Sequence, residues 1–206
     1  MRTCVIFCAG DFDHRQPVLP GDVVIAADGG LRHLQKLGLE PDVILGDFDS
    51  LGYVPQNAAV FPVEKDDTDA MLAARRGLEL GCDRFVFYGA LGGPRLDHTV
   101  ANFQTLQFLA DRGARGYLMD PTAIVTVLKE GTVTFPALKD GILSLFCMGE
   151  PARGVRIQGL KYPLEGGTLT PGFPLGVSNH FTGTPGELSV EQGSLLVFYP
   201  TELGLI

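Results

Sequence analysis

The sequence has no tryptophan and is poor in basic residues: 16 lysines and arginines stand against 24 acids, a net charge of −8. That balance argues against a nucleic-acid partner, whose affinity rests mainly on lysine and arginine neutralising phosphates. Small phosphate ligands stay open, because a bound divalent cation inverts the sign of an acidic site. Long apolar runs are also missing. The longest uncharged stretch, residues 166–186, is rich in Gly, Pro, Thr and Ser and cannot make a membrane span. The four cysteines (Cys4, Cys8, Cys82, Cys147) form no CxxC pair and have no histidines at zinc spacing, so they read as structural thiols of a reducing compartment. The short apolar run at the N-terminus stops at Asp11 and Asp13 and reads as a first β-strand rather than a signal peptide. A soluble, cytoplasmic protein is the expectation.

Motif absences narrow the chemistry. There is no GxxxxGK[ST] and no GxGxxG after a strand, so neither a Walker-type nor a dinucleotide fingerprint applies. An EF-hand starting at Asp47 fails, with Leu51 at its fifth position and Ala58 at its twelfth. No GxSxG elbow occurs, and no cysteine has an evident activating neighbourhood.

What is present divides in two. With 45% hydrophobic residues there is ample material for packed cores. Up to about residue 123, short apolar runs such as "TCVIFCAG", "VVIAADGG", "DVILGDFD" and "RFVFYGA" alternate with helical patterns such as "GGLRHLQKLG" and "TDAMLAARRGLELG". A third helix begins near Asp97, with Val100, Phe103, Leu106 and Leu109 or Ala110 at helical spacing. This alternation predicts an α/β domain over 1–123 with a mostly parallel sheet. From 124 to 206, strand-length pieces separated by Gly and Pro predict a small all-β, sandwich-like domain. Fourteen of the fifteen aspartates lie at or before Asp120, so carboxylate chemistry belongs to the first part.

The polar clusters share one location. "ADGG" follows the run at 23–26, "GDFDS" follows 43–45, "KDDTD" follows 60–63, and "GALGGPRLDH" follows 85–88. Each stands at the carboxyl end of a predicted strand, the edge where open α/β sheets bind ligands. Convergence there would join Asp28, Asp47, Asp49, Asp66, Asp69 and Asp97. Each cluster also has a plainer explanation: Asp28 as a helix cap, Asp47 and Asp49 as an Asx-turn, Asp67 or Thr68 as an N-cap, Lys65 in a surface ion pair. The i, i+2 spacing of Asp47 and Asp49 suits a shared cation if the chain is extended. Gly29 and Gly30 let backbone N–H groups approach a phosphate or base. In "GALGGPRLDH", three glycines precede Arg95, whose fork can hold phosphate oxygens at two points, and Asn102 lies one turn beyond His98.

Taken in order, "ADGGLRHLQKLGLEPDVILGDFDS", "KDDTD", "GALGGPRLDHTVAN", "GLKYPL" and "LGVSN" resemble the thiamine pyrophosphokinase family over roughly residues 26–179. The resemblance implies an α/β nucleotide-binding domain, a β-sandwich-like thiamine-binding domain and a homodimer with shared active sites. It implies magnesium-dependent transfer of diphosphate from ATP to the hydroxyl of thiamine, releasing AMP. Carried over by motif, Asp28, Asp47, Asp49, Asp66 and Asp69 are the metal set, and Asp47, Asp49, Asp69, Arg95 and Asp97 the catalytic set. Asp28, Gly29, Gly30, Lys65 and Thr68 fall on the ATP side, with Arg95, His98 and Asn102. Ser178 and Asn179 fall on the thiamine side, near "GLKYPL". The chain departs from the pattern at Pro94, which interrupts the commoner GGR run, at Met71 and the alanines after "TD", and in having no tryptophan to stack on thiamine; Tyr162, Phe173 or Phe181 would take that place.

On this expectation Asp47 and Asp49 hold magnesium and are both essential, while Asp97 or one of the metal ligands takes the hydroxyl proton. Two rivals come from other classes. "VILGDFDS" also suits an aspartyl-phosphate hydrolase with Asp47 as nucleophile, and a thiamine or nucleotide sensor could use the same pocket for recognition alone.

Overall fold

A computed structural model describes residues 1–12, 18–49, 51–62 and 66–206. The chain forms two compact units, Met1–Pro121 and Thr122–Ile206. Among the described residues no helix is long and apolar enough to cross a membrane.

The first unit carries β1 (Thr3–Phe7), β2 (Val23–Ala27), α1 (Leu31–Leu37), β3 (Val43–Gly46), β4 (Ala59–Val60), α2 (Asp69–Glu79), β5 (Arg84–Tyr88), α3 (Leu96–Ala110) and β6 (Arg115–Met119). Its strands lie in the order β6-β5-β1-β2-β3-β4, and every pairing is parallel. Both faces are covered, which is why β1, β2 and β5 read as almost unbroken apolar runs. Val5, Phe7, Val24, Ala26, Val86 and Tyr88 share one core with Leu31 and Leu34 of α1. The alternate residues point the other way: a Cβ on Gly77 of α2 would meet the Phe85 ring at 2.4 Å and Cys4 Sγ at 3.0 Å, so α2 lies flat against that face.

Two sequence expectations shift. The strand read at 60–63 is the two-residue, exposed β4, one residue earlier; Val63 lies outside the described residues. The buried stripe of α3 runs through Asn102, Thr105, Leu106 and Leu109, while Val100 is exposed. Polar Asn102 and Thr105 hold inward positions because each has a carbonyl to bond, Ala90 O and Ala101 O respectively.

The second unit contains β7 (Ala123–Phe135), β8 (Ile142–Cys147), β9 (Ala152–Gln158), β10 (Leu164–Leu169), β11 (Asn179–His180) and β12 (Gly186–Pro200), and its pairings are antiparallel. Long β12 pairs with β7 along one side, and on its other side with β9 in its first half and β8 in its second. The register breaks between Val190 and Ser194, where Gly193 has φ +91°, so one strand serves two antiparallel arms. Phe135 packs edge-on against Phe181 and Tyr199 in the core between them.

Candidate active site

The parallel sheet reverses its direction of growth between β1 and β5: β2, β3 and β4 extend one side of β1, while β5 and β6 extend the other. Loops leaving two such strands diverge and leave a crevice at their carboxyl ends. A cavity of about 680 Å³ opens there.

Its floor is main chain. Cys8 N–H donates to Tyr88 O and Gly10 N–H to Gly89 O, both at 2.8 Å, which extends the β1–β5 pairing past the strands. A Cβ on Gly10 would lie 2.5 Å from Gly89 O, and one on Gly89 2.4 Å from Cys8 O, so side chains are excluded from both. Asn102, buried on α3, donates from Nδ2 to Ala90 O at 2.7 Å and anchors the same loop. Burial pushes the Cys8 thiol up to about 12, so it stays protonated and is no nucleophile.

Three aspartates come together on this floor. Asp28 follows β2, is buried, and adopts φ +46° at the head of a 3-10 turn, Asp28–Gly30. Glycines on both sides admit it: a Cβ on Gly30 would overlap the Phe7 carbonyl oxygen, and one on Gly46 would lie 3.0 Å from the Asp28 Cα. Asp47 follows β3. Asp69 opens α2, in the first turn where the helix dipole favours a carboxylate. One carboxylate oxygen from each of Asp28, Asp47 and Asp69 lies within 4.8 Å of the others. At that spacing each pair repels by about 3 kcal/mol at an effective dielectric of 20, an arrangement that a divalent cation turns favourable.

The remaining expected residues are distributed around this trio. The chain from Asp47 to Asp49 is not extended: Phe48 is buried with φ +61°, and Asp49 N–H donates to Asp47 Oδ1 at 3.2 Å. The Asx-turn therefore exists, and it leaves Asp49 exposed at the pocket wall, outside the trio. Burial of the Phe48 ring offsets the left-handed backbone, a strain of order 1–3 kcal/mol. Thr68 is the N-cap of α2, accepting from Met71 N–H at 3.2 Å, and also lines the pocket. Asp67 lines it too, held by Arg75 Nε at 3.0 Å. Asp66 is exposed and does not line it, and Lys65 lies outside the described residues. Gly29 and Gly30 are buried behind Asp28 rather than facing the cavity.

Gly92, Gly93, Pro94, Arg95, His98 and Thr99 form the rim, so the extra Pro94 leaves Arg95 at the pocket. Arg95 grips Asp97 with two parallel bonds, Nε to Oδ1 at 2.9 Å and Nη2 to Oδ2 at 2.6 Å. That hydrogen-bonded fork holds the Asp97 carboxyl at about 2, against an ordinary 3.8. The folded value is depressed, so whatever the pair contributes to stability is present above pH 3.8 and lost as pH falls through about 2. Both side chains are well exposed, which keeps that contribution small. In a carbon-13 titration Asp97 should show a midpoint near 2, moving towards 3.8 in Arg95→Ala; an unmoved midpoint contradicts the assignment.

Ser178 and Asn179 belong to the second unit. Ser178 has φ +61° and its N–H donates to Ser144 Oγ at 3.1 Å. Buried Asn179 accepts from Tyr162 N–H at 3.0 Å and donates to Tyr162 O at 2.8 Å, joining "VSN" to "GLKYPL". Of the three aromatics left open by the sequence, Phe181 is core, whereas Tyr162 and Phe173 are exposed. Asn179→Ala leaves both Tyr162 backbone groups without their partner and should cost about 2 kcal/mol in urea unfolding; a change below a few tenths contradicts this role.

Among the lining residues that sequence reasoning missed are Cys8, Ala9 and Gly10, together with Thr99 and Asp67, the last read only as a helix cap. The first three had a signal, since they leave a parallel strand at the same sheet edge as the acidic loops.

Comparison with known proteins bears on what such a pocket does. Residues 14–118 match the family model for the thiamin pyrophosphokinase catalytic domain, and residues 131–195 match that for its vitamin B1 binding domain. Thiamine pyrophosphokinase of Bacillus subtilis (strain 168) is 28% identical over 187 residues, 86% of this chain and 87% of its own. The crystal structure of thiamine pyrophosphokinase from Bacillus subtilis superposes with a TM-score of 0.85 at 26% identity, covering 98% of this chain and 100% of that one. The enzyme from Geobacillus thermodenitrificans gives 0.81 at 25%, with both chains fully covered. A parallel α/β unit with an acidic crevice at its switch point, matched over residues 14–118 to a catalytic domain, defines an enzyme of the kinase class, a transferase. The chain belongs to the thiamine pyrophosphokinase family.

Proposed function

We propose that this enzyme transfers the diphosphate of ATP to the hydroxyl of thiamine, yielding thiamine diphosphate and AMP, with magnesium as the required ion. The observation that carries this reading is the trio of Asp28, Asp47 and Asp69 on a main-chain floor. Three carboxylate oxygens are a hard donor set suited to magnesium rather than to a soft metal. Bound there, the ion would neutralise charge on the polyphosphate. Asp49 and Asp66, also expected among the ligands, stand farther out; Asp49 reaches the metal through water in this reading.

The chain's own part is alignment and charge. Arg95 is free to exchange its exposed Asp97 partner for phosphate oxygens, at little cost because surface ion pairs are weak. His98, Asn102 and Thr68 frame the nucleotide side. Once Arg95 turns to phosphate, Asp97 loses the partner that lowers its basicity, so Asp97 or a carboxylate of the trio accepts the hydroxyl proton. In residues 124–206, the thiamine domain of this reading, Asn179 holds Tyr162 in place and Ser178 stands beside it. The enzyme acts as a cytoplasmic homodimer.

Separating the nucleotide products after incubation with ATP, magnesium and thiamine tests the reaction. Equal amounts of AMP and thiamine diphosphate are expected. ADP with thiamine monophosphate overturns the diphosphate transfer, inorganic phosphate alone favours the hydrolase with Asp47 as nucleophile, and binding without turnover favours the sensor.

A further inference from the structure

We propose that Asp11, which does not line the cavity, is a positioning residue that presents the 92–95 rim to the nucleotide. The proposal rests on the ATP reading above. Asp11 Oδ2 accepts the Gly93 N–H at 3.2 Å, across 82 residues of sequence. The same oxygen lies 3.0 Å from where a Cβ of Gly92 would stand, so the carboxylate is seated against a side-chain-free loop. Gly92 and Gly93 both have positive φ, at +75° and +77°. Two successive glycines would otherwise leave this rim with wide conformational freedom.

Asp11 is itself fixed from both sides. The preceding Gly10 is bonded to Gly89 O through its N–H and to His33 Nε2, at 2.9 Å, through its carbonyl. The following Phe12 packs edge-on against Phe7 and Tyr88 and lies 5.1 Å from the His33 ring. The carboxylate is thus delivered from the rigid end of β1 to the mobile-by-composition glycine pair. Beyond Gly93 the ring of Pro94 locks φ. Holding the Gly93 N–H therefore sets where the Arg95 backbone begins, and with it the reach of the guanidinium to phosphate oxygens.

The sign of the effect separates positioning from charge. A carboxylate near a triphosphate repels it, so if Asp11 acted only as a charge, removing it would tighten ATP binding. A positioning role predicts the opposite. Asp11→Ala should raise KM for ATP and lower kcat, each by about tenfold, the scale of one charge-assisted hydrogen bond. KM for thiamine should stay unchanged, and the melting temperature should stay within about 2 °C because Asp11 is exposed. Asp11→Asn keeps an acceptor for the Gly93 N–H without the charge and should restore both constants to near wild type.

Steady-state kinetics of the wild type, Asp11→Ala and Asp11→Asn, varying ATP and thiamine separately, is the test. ATP constants that worsen in the alanine variant and recover in the asparagine variant support the proposal. An alanine variant that uses ATP as well as or better than wild type overturns it, as does an asparagine variant equally impaired. Wild-type protein that releases no AMP would instead overturn the reaction itself, so the two failures are told apart.

Discussion

Replacing Asp47 by asparagine should lower kcat by on the order of 10³-fold while leaving the folded structure intact. The substitution is nearly isosteric, and its Oδ1 still accepts the Asp49 N–H that closes the turn at 3.2 Å. What disappears is one of three charges within 4.8 Å. In the absence of metal that loss relieves repulsion, so the melting temperature should hold or rise. On the proposed metal assignment activity moves the other way, because the ion would lose a ligand. Asp28→Asn and Asp69→Asn should behave alike. Asp49→Asn, outside the trio and exposed, should cost about 10- to 100-fold, the scale of an outer-shell partner and less than any trio variant. An Asp47 variant retaining a tenth or more of wild-type activity would contradict the metal assignment.

Gly30→Ala should be the most damaging single methyl addition at the site. The backbone there is helical, φ −58° and ψ −22°, so propensity alone favours alanine. The new Cβ would nevertheless lie 1.8 Å from the Phe7 carbonyl oxygen and 2.9 Å from Cys8 N, both main chain of a buried central strand. No side-chain rotation relieves that overlap. A cost of about 3 kcal/mol or more follows, read as a fall of roughly 10 °C in melting temperature. Activity should fall with it, since the displaced peptide begins the pocket floor. Gly38→Ala is the control: φ is +66° but nothing lies within 4 Å, so the penalty should be about 1 kcal/mol. Equal melting temperatures for the two variants would contradict the packing argument.

The parallel unit was legible because buried parallel strands write themselves as unbroken apolar runs, and because each run ended in a polar cluster. Asp28, Asp47 and Asp69 could be nominated on that basis. Separating Asp47 from Asp49 could not, since the distinction depends on Phe48 turning into the core with φ +61°. An i, i+2 spacing carries no information about that reversal. Val100 was misassigned to the buried face of α3 for a related reason: Asn102 and Thr105 are inside because carbonyls await them, and pattern reading ranks polar residues as outside. Asp11 escaped notice because its partner Gly93 is 82 residues away. The meeting of "GLKYPL" with "VSN" was foreseen only through resemblance, and the Asn179 bonds to Tyr162 supply its physical cause.

Binding of Mn²⁺ in the presence of ATP, followed by electron paramagnetic resonance, examines the shared carboxylate site most directly. Wild-type protein should take up the ion stoichiometrically, and Asp28→Asn, Asp47→Asn and Asp69→Asn should each weaken uptake by at least about tenfold, with Asp49→Asn affected least. Undiminished uptake in all three trio variants would show that the ion is held elsewhere.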